Sequence, residues 1–208
     1  PTHHGAFDLS YLSHMPNMVV MAPKDDAELR QLVGTAFECG QPAAIRYPRG
    51  VGPEVDSKND FTPLPLGKSE VLVKGEQVAI LAIGRMVETG RAVVDLLKKE
   101  GLNCTLVNAR FVKPIDSEMV FQMADSHDLL VTLEDNSIVG GFGSQVAQVV
   151  ASLNQCRLVN FGLPDYFVSH GSIEQLFKEV GLDPASLSEK ILAILKTYEK
   201  SEARSTLS

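Results

Sequence analysis

The chain is short of cysteine, short of positive charge and without a long apolar run, and each shortage removes a class of protein. Its three cysteines, Cys39, Cys104 and Cys156, are far apart and odd in number. No two have the short spacing of a zinc or redox motif, so buried, reduced thiols in a cytosolic protein are expected. Lysine and arginine total 19 against 26 acidic residues, a formal charge of -7. Without a concentrated basic face, neither nucleic acid nor an anionic membrane is expected as a partner. A small phosphorylated ligand needs only one or two placed cations and stays open. The longest apolar run, residues 78–83, is strand-sized, far below the ~20 residues of a membrane span. There is no HExxH, no serine elbow and no Cys-His pair in a nucleophile's context. The start Pro1-Thr2-His3-His4 has no signal-peptide layout and no initiator methionine, as expected of a processed, cleaved or truncated chain.

What is present suits a globular fold: 44% hydrophobic and 22% charged residues, enough for a sizeable core. Residues 18–21 read as a strand buried on both faces. Asp25 or Asp26 can cap a helix whose Leu29, Leu32, Val33, Ala36 and Phe37 form one apolar stripe, ending at Gly40. Residues 43–46 are a second short strand running into the Tyr47-Pro48-Arg49-Gly50 turn. Residues 51–66, rich in proline, glycine, asparagine and aspartate, read as a linker. Strands are then expected at 68–73, 78–83, 104–107, 129–133 and 158–161, with a turn at 74–76. Helices are expected at 88–100, after Asp116, after Gly140-Gly141-Phe142-Gly143, and near 172–180 and 186–199. Alternating strands and helices predict an α/β fold with a mostly parallel five-stranded sheet. Residues 1–62, with two strands and one good helix, look like half a domain whose other half comes from elsewhere. The reading is therefore a partial domain at 1–62, a complete one at 63–200 and a flexible tail at 201–208.

Several residues could carry chemistry. His3 and His4 lie beside Gly5 and near Asp8, and histidine moves its proton near neutral pH; an exposed terminal pair without a role is the plainer alternative. Arg46 and Arg49 follow a strand's carboxyl end, where α/β sheets bind ligands. A guanidinium there could hold a phosphate in a bidentate fork, or pair with a surface acid. The amides after Gly140 could cradle an anion, but Glu134 and Asp135 end the preceding strand and would repel a phosphate, so tight helix–strand packing is preferred. His127 beside Asp128, and His170 with Asp165, read as structural.

The ordered set PTHHGAFD, PNMVVMAPKDDAELR, AAIRYPRG, LPLGKSEVL, NARFVKPID, VTLEDNSIVGGFGS and NFGLPDYFVSHGS, running from Pro1 to about Thr197, resembles the 1-deoxy-D-xylulose-5-phosphate synthase family of transketolase-like enzymes. The resemblance implies a thiamine-diphosphate- and Mg2+-dependent transferase joining pyruvate to glyceraldehyde 3-phosphate with loss of carbon dioxide, for isoprenoid, thiamine and pyridoxal synthesis. It implies that residues 1–62 end a pyrimidine-binding domain and that the remainder is a transketolase C-terminal domain. His3 matches the family's histidine at the reacting carbons, and Arg49 the binder of the acceptor's phosphate; no family role maps onto His4. The family's pyrimidine-activating glutamate and magnesium motif have no counterpart here. Hence no metal ligand and no cofactor-binding residue is assigned, and this chain alone is expected to bind neither cofactor and to be inactive. The implied partners are the N-terminal portion of the enzyme and a second copy in a homodimer, in the cytoplasm or a plastid stroma. A 2-oxoacid dehydrogenase E1 beta-type subunit, a split transketolase and a non-catalytic dimerisation module are the alternatives.

Overall fold

The computed structural model describes residues 4–50, 60–153 and 156–205. The first stretch holds α1 (Asp8–Ser13), β1 (Val19–Met21), α2 (Asp26–Glu38) and β2 (Ala43–Ile45). α2 starts where Asp25 caps it, its carboxylate accepting from the Glu28 amide at 2.8 Å, which satisfies one of the donors a helix start leaves open. β1 and β2 pair in parallel, Val19 to Met21 against Ala43 to Ile45.

The second stretch holds β3 (Glu70–Val73), β4 (Val78–Ala82), α3 (Met86–Lys99), β5 (Cys104–Asn108), β6 (Phe111–Lys113), α4 (Ser117–Ser126), β7 (Leu129–Ser137), α5 (Phe142–Val150), β8 (Leu158–Leu163), α6 (Ile173–Val180) and α7 (Pro184–Ser205). Its five-stranded sheet runs β3-β5-β4-β7-β8 and is parallel apart from the β3 edge. Successive side chains of a strand face opposite ways, and in β4 both faces are apolar. Val78, Ile80 and Ala82 pack with α3 and α7 through Val93, Leu97, Leu187 and Ile191. Ala79 and Leu81 pack with α4 and α5 through Val120, Met123, Phe142 and Val146. Leu9, Val20 and Ala22 join that second cluster, so the first stretch shares the core of the second. Among the described residues no helix is long and apolar enough to cross a membrane.

The structure differs from the sequence reading at several elements. β6 was not predicted; it pairs antiparallel to β1 and makes a second sheet, β2-β1-β6. Three residues carry too little periodicity to announce a strand. α1, six residues long, was missed for the same reason. The turn at 74–76 does not join neighbouring strands: β3 pairs with β5, and Gly75 instead bonds Thr105 Oγ1, which both accepts from its amide at 2.9 Å and donates to its carbonyl at 3.0 Å. The described part of the linker, from Asp60, packs on α2, with the Leu64 amide donating to Thr35 Oγ1 at 2.8 Å. The tail read from residue 201 is helical up to Ser205 as part of α7, because adding residues to a formed helix avoids the cost of nucleation. On α2 the buried line is Glu28, Leu32 and Thr35. Phe37 of the expected stripe is 87% exposed, since no described element covers that side.

Candidate functional site

The parallel strands of both sheets end on one side of the molecule, and a cleft of about 580 Å³ opens there. It collects His4 to Asp8, the Arg46–Arg49 turn after β2, Arg85 after β4, Asp135 near the end of β7, and Tyr166 and Phe177 from the segment after β8. A second cleft of about 760 Å³ shares Tyr47, Pro48, Arg49, Arg85 and Ile173 with it, and is bordered by Asp25, Asp26 and Glu88. Open α/β sheets put ligands at the carboxyl ends of their strands, and both clefts lie there.

The His4 segment is held by the end of β7. The Asn136 amide oxygen accepts from the Leu9 backbone at 3.1 Å, and its nitrogen donates to Ser10 Oγ at 2.8 Å. The Ser137 amide donates to the Ala6 carbonyl at 2.6 Å. Arg46 adds a tie: its guanidinium pairs with the Asp135 carboxylate and donates to the carbonyls of Gly5 at 3.1 Å and Asp135 at 3.0 Å. Arg46 therefore takes the acid-pairing alternative, with the acid on a strand in place of the surface. Arg49 is exposed at the same cleft, with no carboxylate at ion-pair distance among the described residues. His3 lies outside the described residues; His4, to which no role was given, borders the cleft.

The amides that open α5 hold an anion of the chain's own. Glu134 accepts from the backbone of Phe142 and Gly143, each at 2.8 Å. A side chain at Gly141 would run into that carboxylate, and a Cβ at Gly143 would come within 2.7 Å of Asn160 and Thr132. The glycines thus serve close packing, as expected, and also leave the carboxylate room on the amides. Burial pushes Glu134 up to about 7, against the pull of the two amides, because a buried charge loses its water. Burial alone raises the Cys104 thiol to about 11. The three cysteines form no disulfide. His127 has a structural place, its Nε2 2.7 Å from Thr105 Oγ1 and its Nδ1 3.1 Å from the Met123 carbonyl.

A second polar cluster centres on Glu28 of α2. Glu28, fully buried on α2, accepts from Arg110 Nε and from Asn108 Nδ2 at 2.7 Å each, and from the Lys24 amide at 2.7 Å. The same arginine reaches Glu70 at 2.7 Å. It joins α2 to β3 and to the β5–β6 bend, and it ties the two halves together.

Sequence reasoning missed Arg85, Asp135 and the Tyr166–Phe177 wall. Arg85 had a signal: it is the first charge after the apolar run 78–83, just past the carboxyl end of a buried strand. Asp135 was set aside with Glu134 as a repulsive acid, although Arg46 neutralises it.

A family described as transketolase, C-terminal domain, matches residues 67–187, more than half of the chain. The chain belongs to the transketolase C-terminal domain family. Upstream, residues 1–54 match the transketolase pyrimidine binding domain. Among curated relatives, the 1-deoxy-D-xylulose-5-phosphate synthase of Syntrophomonas wolfei is 46% identical over 192 residues, 92% of this chain and 30% of that protein. The synthase of Chlorobaculum tepidum is 46% identical over 198 residues, 94% of this chain and 31% of that one. The chain thus spans about 30% of the length of these relatives. Among solved structures, a split-gene transketolase described as an inactive β4 tetramer matches with a TM-score of 0.86 at 31% identity, covering 94% of this chain and 63% of that one. A transketolase variant from Pichia stipitis matches with a TM-score of 0.73 at 18% identity, over 95% of this chain and 28% of that one, a likeness of fold.

Members of the transketolase family named as these relatives are use thiamine diphosphate. Among the described residues no group of three or more His, Cys, Asp or Glu is placed to hold a metal ion, and at the start of α5 the buried Glu134 carboxylate takes the backbone amides of Phe142 and Gly143. The amides of Phe142 and Gly143 at the start of α5 are therefore not free for the cofactor's diphosphate.

Proposed function

We propose that the chain is the C-terminal portion of a 1-deoxy-D-xylulose-5-phosphate synthase, in which pyruvate and glyceraldehyde 3-phosphate are condensed with loss of carbon dioxide. In this reading residues 1–62 end the pyrimidine-binding domain and residues 63–200 form the C-terminal domain. A separate N-terminal portion contributes the residues for thiamine diphosphate and Mg2+. One observation carries the assignment: the two motifs most particular to the resemblance, at His3-His4 and at Arg46–Arg49, flank a single cleft through His4, Arg46 and Arg49. In this reading His3, next to His4 in the sequence, moves a proton at the developing alkoxide, and the Arg49 guanidinium holds the acceptor's phosphate.

The exposed Phe37, and the edge of β2 that pairs with no strand among the described residues, support a second chain portion against the first stretch. The test mixes this chain with the N-terminal portion of a synthase and assays pyruvate with glyceraldehyde 3-phosphate. Synthase activity is expected only in the mixture. Arg49→Gln is expected to raise KM for glyceraldehyde 3-phosphate by about tenfold or more, the order of one lost charge-assisted contact, with a smaller effect on kcat. A mixture without synthase activity would count against the assignment. The likeness to the split-gene transketolase favours one rival, a split transketolase subunit; ketose–aldose exchange in the same mixture, without decarboxylation, would select it.

A further inference from the structure

Two guanidinium groups border the cleft without a neutralising partner. Arg46 is not one of them, since Asp135 takes it. Arg49 and Arg85 line both clefts, and among the described residues neither has a carboxylate at ion-pair distance. Leaving two like charges facing one cavity is unfavourable unless an anion enters.

Arg85 is also held for such a role. Its guanidinium lies over the Phe177 ring, 5.1 Å from the centroid. Stacking occupies a face of the planar group and leaves its N–H donors free at the edge. A long side chain that packing has already immobilised loses less entropy when it binds a ligand. The acids select the side. In the cleft shared with His4, Asp135 is neutralised by Arg46, and Asp8 is the one lining carboxylate with no cation at ion-pair distance among the described residues. In the neighbouring cleft Asp25 is paired with Lys24, but Asp26 and Glu88 remain on the wall.

We propose that Arg85 is a second phosphate-binding residue, which with Arg49 clasps the phosphate dianion of the acceptor in the His4-side cleft. The assignment rests on the reading that Arg49 meets that phosphate. It adds a residue from the C-terminal domain to a site otherwise assigned to the upstream segment, so the ligand bridges the two.

Inorganic phosphate titrated calorimetrically into this chain tests the idea, with Arg85→Gln, Arg49→Gln and Phe177→Leu beside the unaltered chain. Arg85→Gln should weaken phosphate binding by about tenfold, as loss of one charge-assisted bond does. It should also flatten the gain in affinity as rising pH converts the monoanion to the dianion. Phe177→Leu, which keeps the charge but frees the side chain, should weaken binding by a smaller factor. Unchanged affinity in Arg85→Gln, with binding lost in Arg49→Gln, overturns the proposal and leaves the reading of Arg49 intact. Absence of phosphate binding by the unaltered chain, or unchanged affinity in both arginine variants, overturns both.

Discussion

At the residue scale the most unusual group is Glu134. Its carboxylate caps α5 from within the core, held at 2.8 Å by the amides of Phe142 and Gly143, yet burial raises it from 4.5 to about 7. The desolvation outweighs two good hydrogen bonds because those donors replace only part of the water a charge loses. A carboxyl raised on folding binds its proton more tightly in the folded chain. Its contribution to stability is therefore fully present below about 4.5 and is lost as pH rises through about 7. Glu134→Gln should remove that slope. Urea unfolding at several pH values across the window measures it, and an unaltered slope in the variant would assign the titration to another group. Gln keeps one acceptor and turns an N–H toward the second amide, so a loss of overall stability should accompany the flattening.

At the scale of elements, the join between the halves rests on the β5–β6 bend. Arg110 there has a φ of +58°, a region uncommon for a residue with a side chain. It is kept in place by its bonds to Glu28 and Glu70, while the next residue, Phe111, is fully buried against Val19, Met21 and Leu32. Arg110→Met leaves the buried Glu28 carboxylate with Lys24 Nζ, 3.5 Å away, as its remaining cation among the described residues, and should cost about 3 kcal/mol, the low end of the range for breaking a buried pair from one side. Adding Glu28→Gln should restore part of the loss. Chemical denaturation of the single and double variants gives the coupling; additive losses would mean that the pair does not act as a unit.

At the scale of the molecule, the first stretch is only partly enclosed. β1 has strands on both sides, whereas β2 pairs on one side among the described residues, and α2 turns Phe37 outward. An open strand edge beside exposed apolar surface favours association. Light scattering is expected to show dimers or larger species of the chain alone, and addition of the N-terminal portion should displace them in favour of a mixed assembly. A strictly monomeric chain at every concentration would show that this face needs no cover.

Much of the second stretch was legible in the sequence. A parallel strand covered on both faces must be apolar along its length, so β4, β5, β7 and β8 stood out as runs, and Asp116 marked a helix start through its capping side chain, as Asp25 did in the first stretch. The partial character of the first stretch was also legible, because two strands and one helix cannot enclose a sheet. Arg46 and Arg49 were both legible as candidates from their place after a strand, and both border the cleft. Tertiary structure alone decided the rest. Whether Arg46 binds a ligand or an acid depended on Asp135, 89 residues away, and the amides after Gly140 were claimed by a carboxylate that sequence reasoning had treated as a repulsive neighbour. The pairing of β6 with β1 crosses from one half to the other. Local pattern reports which way a side chain must face; which partner it meets there is set by the packing of distant segments, and in this protein the cleft is lined by residues brought together in that way.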